Sequence, residues 1–130
     1  MKLWISSETQ SDVFDDFRKA SLKVEDCINE VIVDKTYGLA LDGWDCIAIL
    51  RNDDDFEELV QYSPKKKEMD FRLRIDYESF KSGNDLEREQ LVFGMLIRSL
   101  KLLNVKGLDG DGMESLESDV KSVGAAKGWQ

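Results

Sequence analysis

The sequence predicts an α+β fold: a single four-stranded, mainly antiparallel sheet with helices packed on one face, in the order β-α-β-β-β-α-α. Three observations predict it. From Met69 to Tyr77, Phe71, Leu73, Ile75 and Tyr77 alternate with Asp70, Arg72, Arg74 and Asp76, the pattern of a strand with one buried and one wet face. Val13, Phe14, Phe17, Ala20, Val24, Cys27, Ile28, Val31 and Ile32 fall instead at helical spacing, as do Leu91, Met95, Leu96, Leu100 and Leu103. Cys46 to Leu50 is an unbroken apolar run, which suggests a strand buried on both faces in the middle of the sheet.

Taken in order, Lys2 to Ser6 reads as a short strand around Leu3, Trp4 and Ile5. The first helix spans residues 11–34, with Ser11 as N-cap and Asp12, Asp15 and Asp16 in the first turn, where the helix dipole favours anions. Trp44 to Arg51 is the second strand, and Asn52 to Asp55 an acidic turn. If the first two strands are parallel neighbours, the first helix is their crossover. Glu57 to Ser63 is the third strand, joined to the fourth through a hairpin loop from Pro64 to Glu68. Asn84, with Glu87 three residues on, forms a capping box that opens a helix over 85–104, and Gly107 can end it with a left-handed cap. Asp111 and Glu114 cap a last helix carrying Met113, Leu116, Val120 and Val123. Residues 124–130 are expected to fray, unless Trp129 folds back.

The chain has no repeat and no separating linker, so residues 1–130 are read as one domain. The opening residues lack the long apolar region of a signal peptide, and no stretch suits a membrane span; a cytoplasmic protein is expected. Cys27 and Cys46 then read as two buried thiols.

Charge and the absence of histidine narrow the chemistry. The net charge is -9, and residues 1–60 carry all of it, with 15 acidic and 6 basic residues. The rest of the chain is neutral. An acidic protein does not suit nucleic acid as a direct partner, and a positively charged protein suits it better. Without histidine there is no Ser-His-Asp triad, no Cys-His pair and no typical structural zinc site.

The most conspicuous run is Asp53, Asp54 and Asp55, followed by Glu57 and Glu58. Such crowding is tolerated in solvent, against a hard cation or against a basic protein surface. Asp109-Gly110-Asp111-Gly112 resembles the start of a calcium loop, but the positions needing an oxygen ligand and a final glutamate hold Met113 and Val120. Lys65 to Lys67 reads as a solvated loop that discourages strand pairing, and Arg72 and Arg74 as partners in cross-strand ion pairs. Trp4 and Trp44 are expected in the core or at its edge; a partly exposed Trp44, between Asp42 and Asp45, would make an interface anchor. No nucleophile stands beside a base, and neither a phosphate loop nor a dinucleotide glycine pattern is present.

The opening KLWISSE, the helix around DDFRKA, the strand GWDCIAIL and, above all, YSPKKKEMDFRLRIDY resemble the immunity protein 44 family of bacterial polymorphic-toxin systems, over roughly residues 1–104. The resemblance implies a cytoplasmic protein that binds the C-terminal domain of a cognate secreted toxin and blocks its active site or an exosite. It also implies that the toxin is of a kind often found to be a nuclease with a cationic cleft. It carries over no binding residues.

The function expected is therefore that of an immunity protein, not an enzyme, which neutralises a basic toxin domain through an acidic surface. That surface is expected at Asp53, Asp54, Asp55, Glu57 and Glu58, with Asp42, Trp44 and Asp45 nearby. No cofactor, no resident metal, no nucleic acid and no membrane enters this expectation. The alternatives are a small aspartate-rich metal-dependent enzyme, a binding domain for a cationic ligand, and a self-associating structural module.

Overall fold

A computed structural model describes residues 1–7, 12–39, 41–50, 58–63, 65–105 and 110–130. Four strands, β1 (Lys2–Ser7), β2 (Gly43–Leu50), β3 (Leu59–Ser63) and β4 (Glu68–Ile75), form one sheet in the order β1-β2-β4-β3. The helices are α1 (Phe14–Ile32), α2 (Tyr77–Ser82), α3 (Asp85–Val105) and α4 (Gly110–Lys127). The α+β class and the helices on one face of the sheet are as expected. The pairing differs: β2 runs parallel to both β1 and β4, and only the β3–β4 hairpin is antiparallel, so the sheet is mixed. The alternation of β4 belongs to a sheet with one bare face, and that bareness, not the strand direction, is what alternation reports.

Register explains the burial. Leu3, Trp44 and Met69 form one row across β1, β2 and β4, and Ile5, Cys46 and Phe71 the next; all six are buried. With Leu73 and Ile75 they make the floor on which α1, α3 and α4 lay Phe17, Val24, Ile28, Leu96, Leu100 and Leu116. Each fully buried large side chain of this kind contributes roughly 1.5–3 kcal/mol of transfer free energy. The intervening residues Trp4, Asp45, Ile47, Asp70 and Arg72 remain half-buried or exposed on the other face. β2 is thus central, as its apolar run suggested, although Asp45 and Ile47 keep part of their surface open.

Buried polar groups are matched across elements. The Trp44 indole Nε1–H donates to Ser99 Oγ at 2.9 Å, and that hydroxyl donates to the Leu96 carbonyl at 2.6 Å. Trp129 does fold back: its Nε1–H donates at 2.9 Å to the buried Glu89, which Lys23 pairs with at 3.3 Å. Its ring centroid lies 5.7 Å from that of Phe93. The chain end is therefore packed rather than frayed, because α4 runs on to Lys127 and Gly128 turns the chain inward at φ 77°.

Several boundaries are set by local chemistry. Val13, not Ser11, occupies the N-cap position of α1 and makes no side-chain cap; Ser11 lies outside the described residues, as do Pro64 and Gly107. β4 stops at Ile75 because Asp76 caps the unforeseen α2, its carboxylate accepting from Ser79 N–H at 2.9 Å. The capping box forms as read: Glu87 N–H donates to Asn84 Oδ1 at 2.8 Å, and Asn84 N–H to Glu87 Oε1 at 3.1 Å. Asp111 lies inside the first turn of α4, which begins at Gly110, rather than ahead of it.

Candidate functional site

The uncovered sheet face is built from alternate residues of all four strands. Its central row is Trp4, Asp45, Asp70 and Gln61, each beside the next on the adjacent strand. The row on one side is Lys2, Gly43, Glu68 and Ser63; on the other it is Ser6, Ile47, Arg72 and Leu59. Adjacent strands lie about 4.8 Å apart, so the central row places an aromatic ring, two carboxylates and an amide along about 15 Å.

Gly43 shapes this surface. A Cβ there would lie 2.7 Å from Glu68 Cγ and 3.1 Å from Trp4 Cζ3, so the glycine leaves room for both side chains to lie over the strand. The Trp4 ring is 40% exposed, and Lys2 Nζ sits 5.3 Å from its centroid, within cation–π range. Asp45 is crowded by like charge. Its carboxyl is pushed above the usual carboxylate range by burial first, and then by the charges of Asp70, Glu68 and Glu25.

The expected contact residues fall in different places. Trp44 is 1% exposed and points into the core, so it is no surface anchor; its place in the row of Leu3 and Met69 turns it inward. Asp42 is exposed just ahead of β2, where its carbonyl accepts from Lys2 N–H at 2.9 Å. Asp45 lies on the uncovered face, one strand from Trp4. Glu58 lies beyond the Leu59–Arg72 row and is paired with Arg98 of α3 at 2.6 Å. Arg98 also donates to the Arg74 carbonyl, so Glu58 belongs to the junction of sheet and helix. Asp53, Asp54, Asp55 and Glu57 lie outside the described residues.

The residues that sequence reasoning passed over are Trp4, Glu68 and Asp70. A signal existed for two of them. Inward Leu3 and Ile5 force Trp4 outward, and the alternation of β4 already placed Asp70 on the wet face. What no local pattern carries is the parallel register that sets Asp70 beside Asp45.

Among the described residues no group of three or more His, Cys, Asp or Glu side chains is arranged to hold a metal ion, and no helix is long and apolar enough to cross a membrane. Cys27 is half-buried and Cys46 fully buried, with no disulfide between them. The chemistry this face offers is recognition: a flat aromatic surface beside concentrated negative charge.

Comparison with curated proteins yields no match, and comparison with solved structures yields none either. The model of the family described as immunity protein 44 matches residues 1–125. That match spans nearly the whole chain and includes every strand and almost all of α4, and by it the chain belongs to the immunity protein 44 family.

Proposed function

We propose that this immunity protein neutralises the C-terminal domain of a cognate secreted toxin by stoichiometric binding through an acidic surface, without turnover. Family membership supports a toxin protein as the partner. The observation that carries the manner of binding is the charge: 15 acidic against 6 basic residues in residues 1–60, with Asp42 and Asp45 accessible at the head of β2. Asp53, Asp54, Asp55 and Glu57 join this surface on sequence grounds alone.

Such a surface complements a basic toxin domain. A nuclease is the class that fits best, since a cleft for nucleic acid is lined with cations. Opposite charge steers the encounter and raises the association rate, which suits an inhibitor that must engage before damage is done. The reading places the protein in the cytoplasm, where an incoming nuclease would meet its substrate.

The test is direct. The C-terminal domain of the toxin encoded beside this chain is co-expressed with it and scored for rescue of growth. Association is then followed at roughly 20–50 mM salt, where screening is weak. Reversing Asp53, Asp54 and Asp55 to lysine should slow association, and added salt should slow the wild type in the same way. Affinity unchanged at low salt by the reversal would rule out contact through that acidic run.

A further inference from the structure

We infer that the uncovered face of the sheet is the surface on which the toxin domain docks, with Trp4 as its apolar anchor and the Asp45–Asp70 pair as the receptor for an arginine or lysine side chain of the toxin. The inference rests on the reading above and gives it a location.

Four observations carry it. First, one sheet face is covered by three helices while the other has none, although it holds apolar surface from Trp4, Ile47 and Leu59. Second, Trp4 has the attributes of an interface anchor: a large ring, 40% exposed, laid over a strand that has no side chain at Gly43 to lift it away. Tryptophans held in place on a surface lose little freedom on binding and are enriched among the residues that dominate affinity.

Third, the charges beside it are arranged against stability. Asp45 and Asp70 stand directly opposite on neighbouring strands, with Glu68 and Glu25 near enough to act on Asp45. Like charges so placed cost folding free energy. A cation delivered between them removes that cost at the moment of binding, so the repulsion built into the free protein favours the complex. The occupant is therefore specified: a protein surface with a guanidinium or ammonium group within reach of an apolar patch. Lys2 over Trp4, and Lys65 in the hollow lined by Gln61, Ser63 and Asp70, frame the acidic pair without standing between its members in the row.

Fourth, the β1 side is closed to docking by strand addition. Leu3 and Ile5 direct their peptide groups outward, and α1 occupies them with Asn29 and Glu25. A partner arriving there meets the face rather than a free edge.

The experiment titrates the C-terminal domain of the adjacently encoded toxin against the full chain and two variants, Trp4→Ala and the double variant Asp45→Asn/Asp70→Asn. Thermal melts run alongside. Trp4→Ala should weaken binding at least tenfold, mainly through faster dissociation. The double variant should weaken it about tenfold and slow association while melting at a higher temperature than wild type. Weaker binding with greater stability is a pairing that loss of structure cannot produce. If wild type binds and both variants bind within twofold of it, the toxin docks elsewhere and only the location is wrong. If wild type does not bind the domain at all, the proposed function fails and the location with it. A dimer of the free chain, seen by light scattering and abolished by Trp4→Ala, would assign the face to a second copy and overturn the inference.

Discussion

The side-chain amide of Asn29 acts as a surrogate strand for Leu3: Leu3 N–H donates to Asn29 Oδ1, and Asn29 Nδ2 donates to the Leu3 carbonyl, both at 2.8 Å. One helical turn earlier, Glu25 Oε2 accepts from Ile5 N–H at 2.8 Å. Two α1 side chains four residues apart thus satisfy three outward-facing peptide groups of β1, an edge that would otherwise invite pairing with another chain. Replacing Asn29 with Ala should destabilise the fold by about 1–3 kcal/mol, since two partly buried peptide groups lose their partner. Denaturant midpoints give the loss. Light scattering should show increased self-association, and an unchanged midpoint would mean that water replaces the amide without cost.

The Trp44–Ser99 bond predicts a coupled pair. Ser99→Ala leaves a buried indole N–H unsatisfied and should cost about 1–3 kcal/mol. In a Trp44→Phe background the donor is absent, so the same change should cost distinctly less. A double-mutant cycle measures the difference, and strictly additive losses would deny the coupling.

Close packing between α3 and α4 depends on Gly124, where a Cβ would run into the Phe93 ring. Alanine is the better helix former, by nearly 1 kcal/mol. The clash nonetheless involves a buried ring already stacked on Trp129, so Gly124→Ala should lose a net ~1–3 kcal/mol. The melting temperature is the readout, and a rise would mean that the ring has room to move.

Two aspartates should respond to acid in opposite ways. The folded-state pKa of Asp45 is raised, so the fold favours its neutral form and gains stability as pH falls through that raised value. Asp119 is the reverse: hydrogen bonds from the Tyr37 hydroxyl at 2.7 Å and the Lys35 ammonium at 2.9 Å hold its carboxyl below the usual range. Its contribution is present above the unfolded value and lost as pH falls through the folded one. Urea melts from about pH 7 to about pH 3 should show Asp45→Asn more stable than wild type at neutrality, with the advantage vanishing in acid. Asp119→Asn should be less stable at neutrality, with its deficit shrinking only at the lowest pH. Parallel profiles for the two variants would contradict both assignments.

Thiol labelling should separate the cysteines. Burial pushes the Cys46 thiol up to about 12, while Cys27 is only half-buried. A thiol reagent should label Cys27 in the native state and reach Cys46 only as fast as the protein opens. Equal rates would place Cys46 nearer the surface than its position between Ile5 and Phe71 allows.

The element order, the β3–β4 hairpin, the capping box at Asn84 and the inward faces of β1, β4 and α1 were all legible in the chain. Each is a matter of residues close in sequence: period two against period 3.6, or a side chain reaching three positions along. The same local rules carried the acidic bias of residues 1–60 and the resemblance to an immunity family. Sheet topology was not local. The parallel placement of β2 against β4 depends on how the chain passes beyond β4 to reach the outer strand β3, and nothing in the alternation of either strand states it. That topology decides which tryptophan is buried, because the row holding Trp44 faces three helices while the row holding Trp4 faces none. It also brings Asp45 beside Asp70, 25 residues away in the sequence. By itself the sequence determined that this is an acidic α+β protein without the residues of common catalysis. Only the tertiary structure decided where its charge and its exposed aromatic surface coincide, because neighbours across a sheet are chosen by strand order and register, which no window of sequence contains.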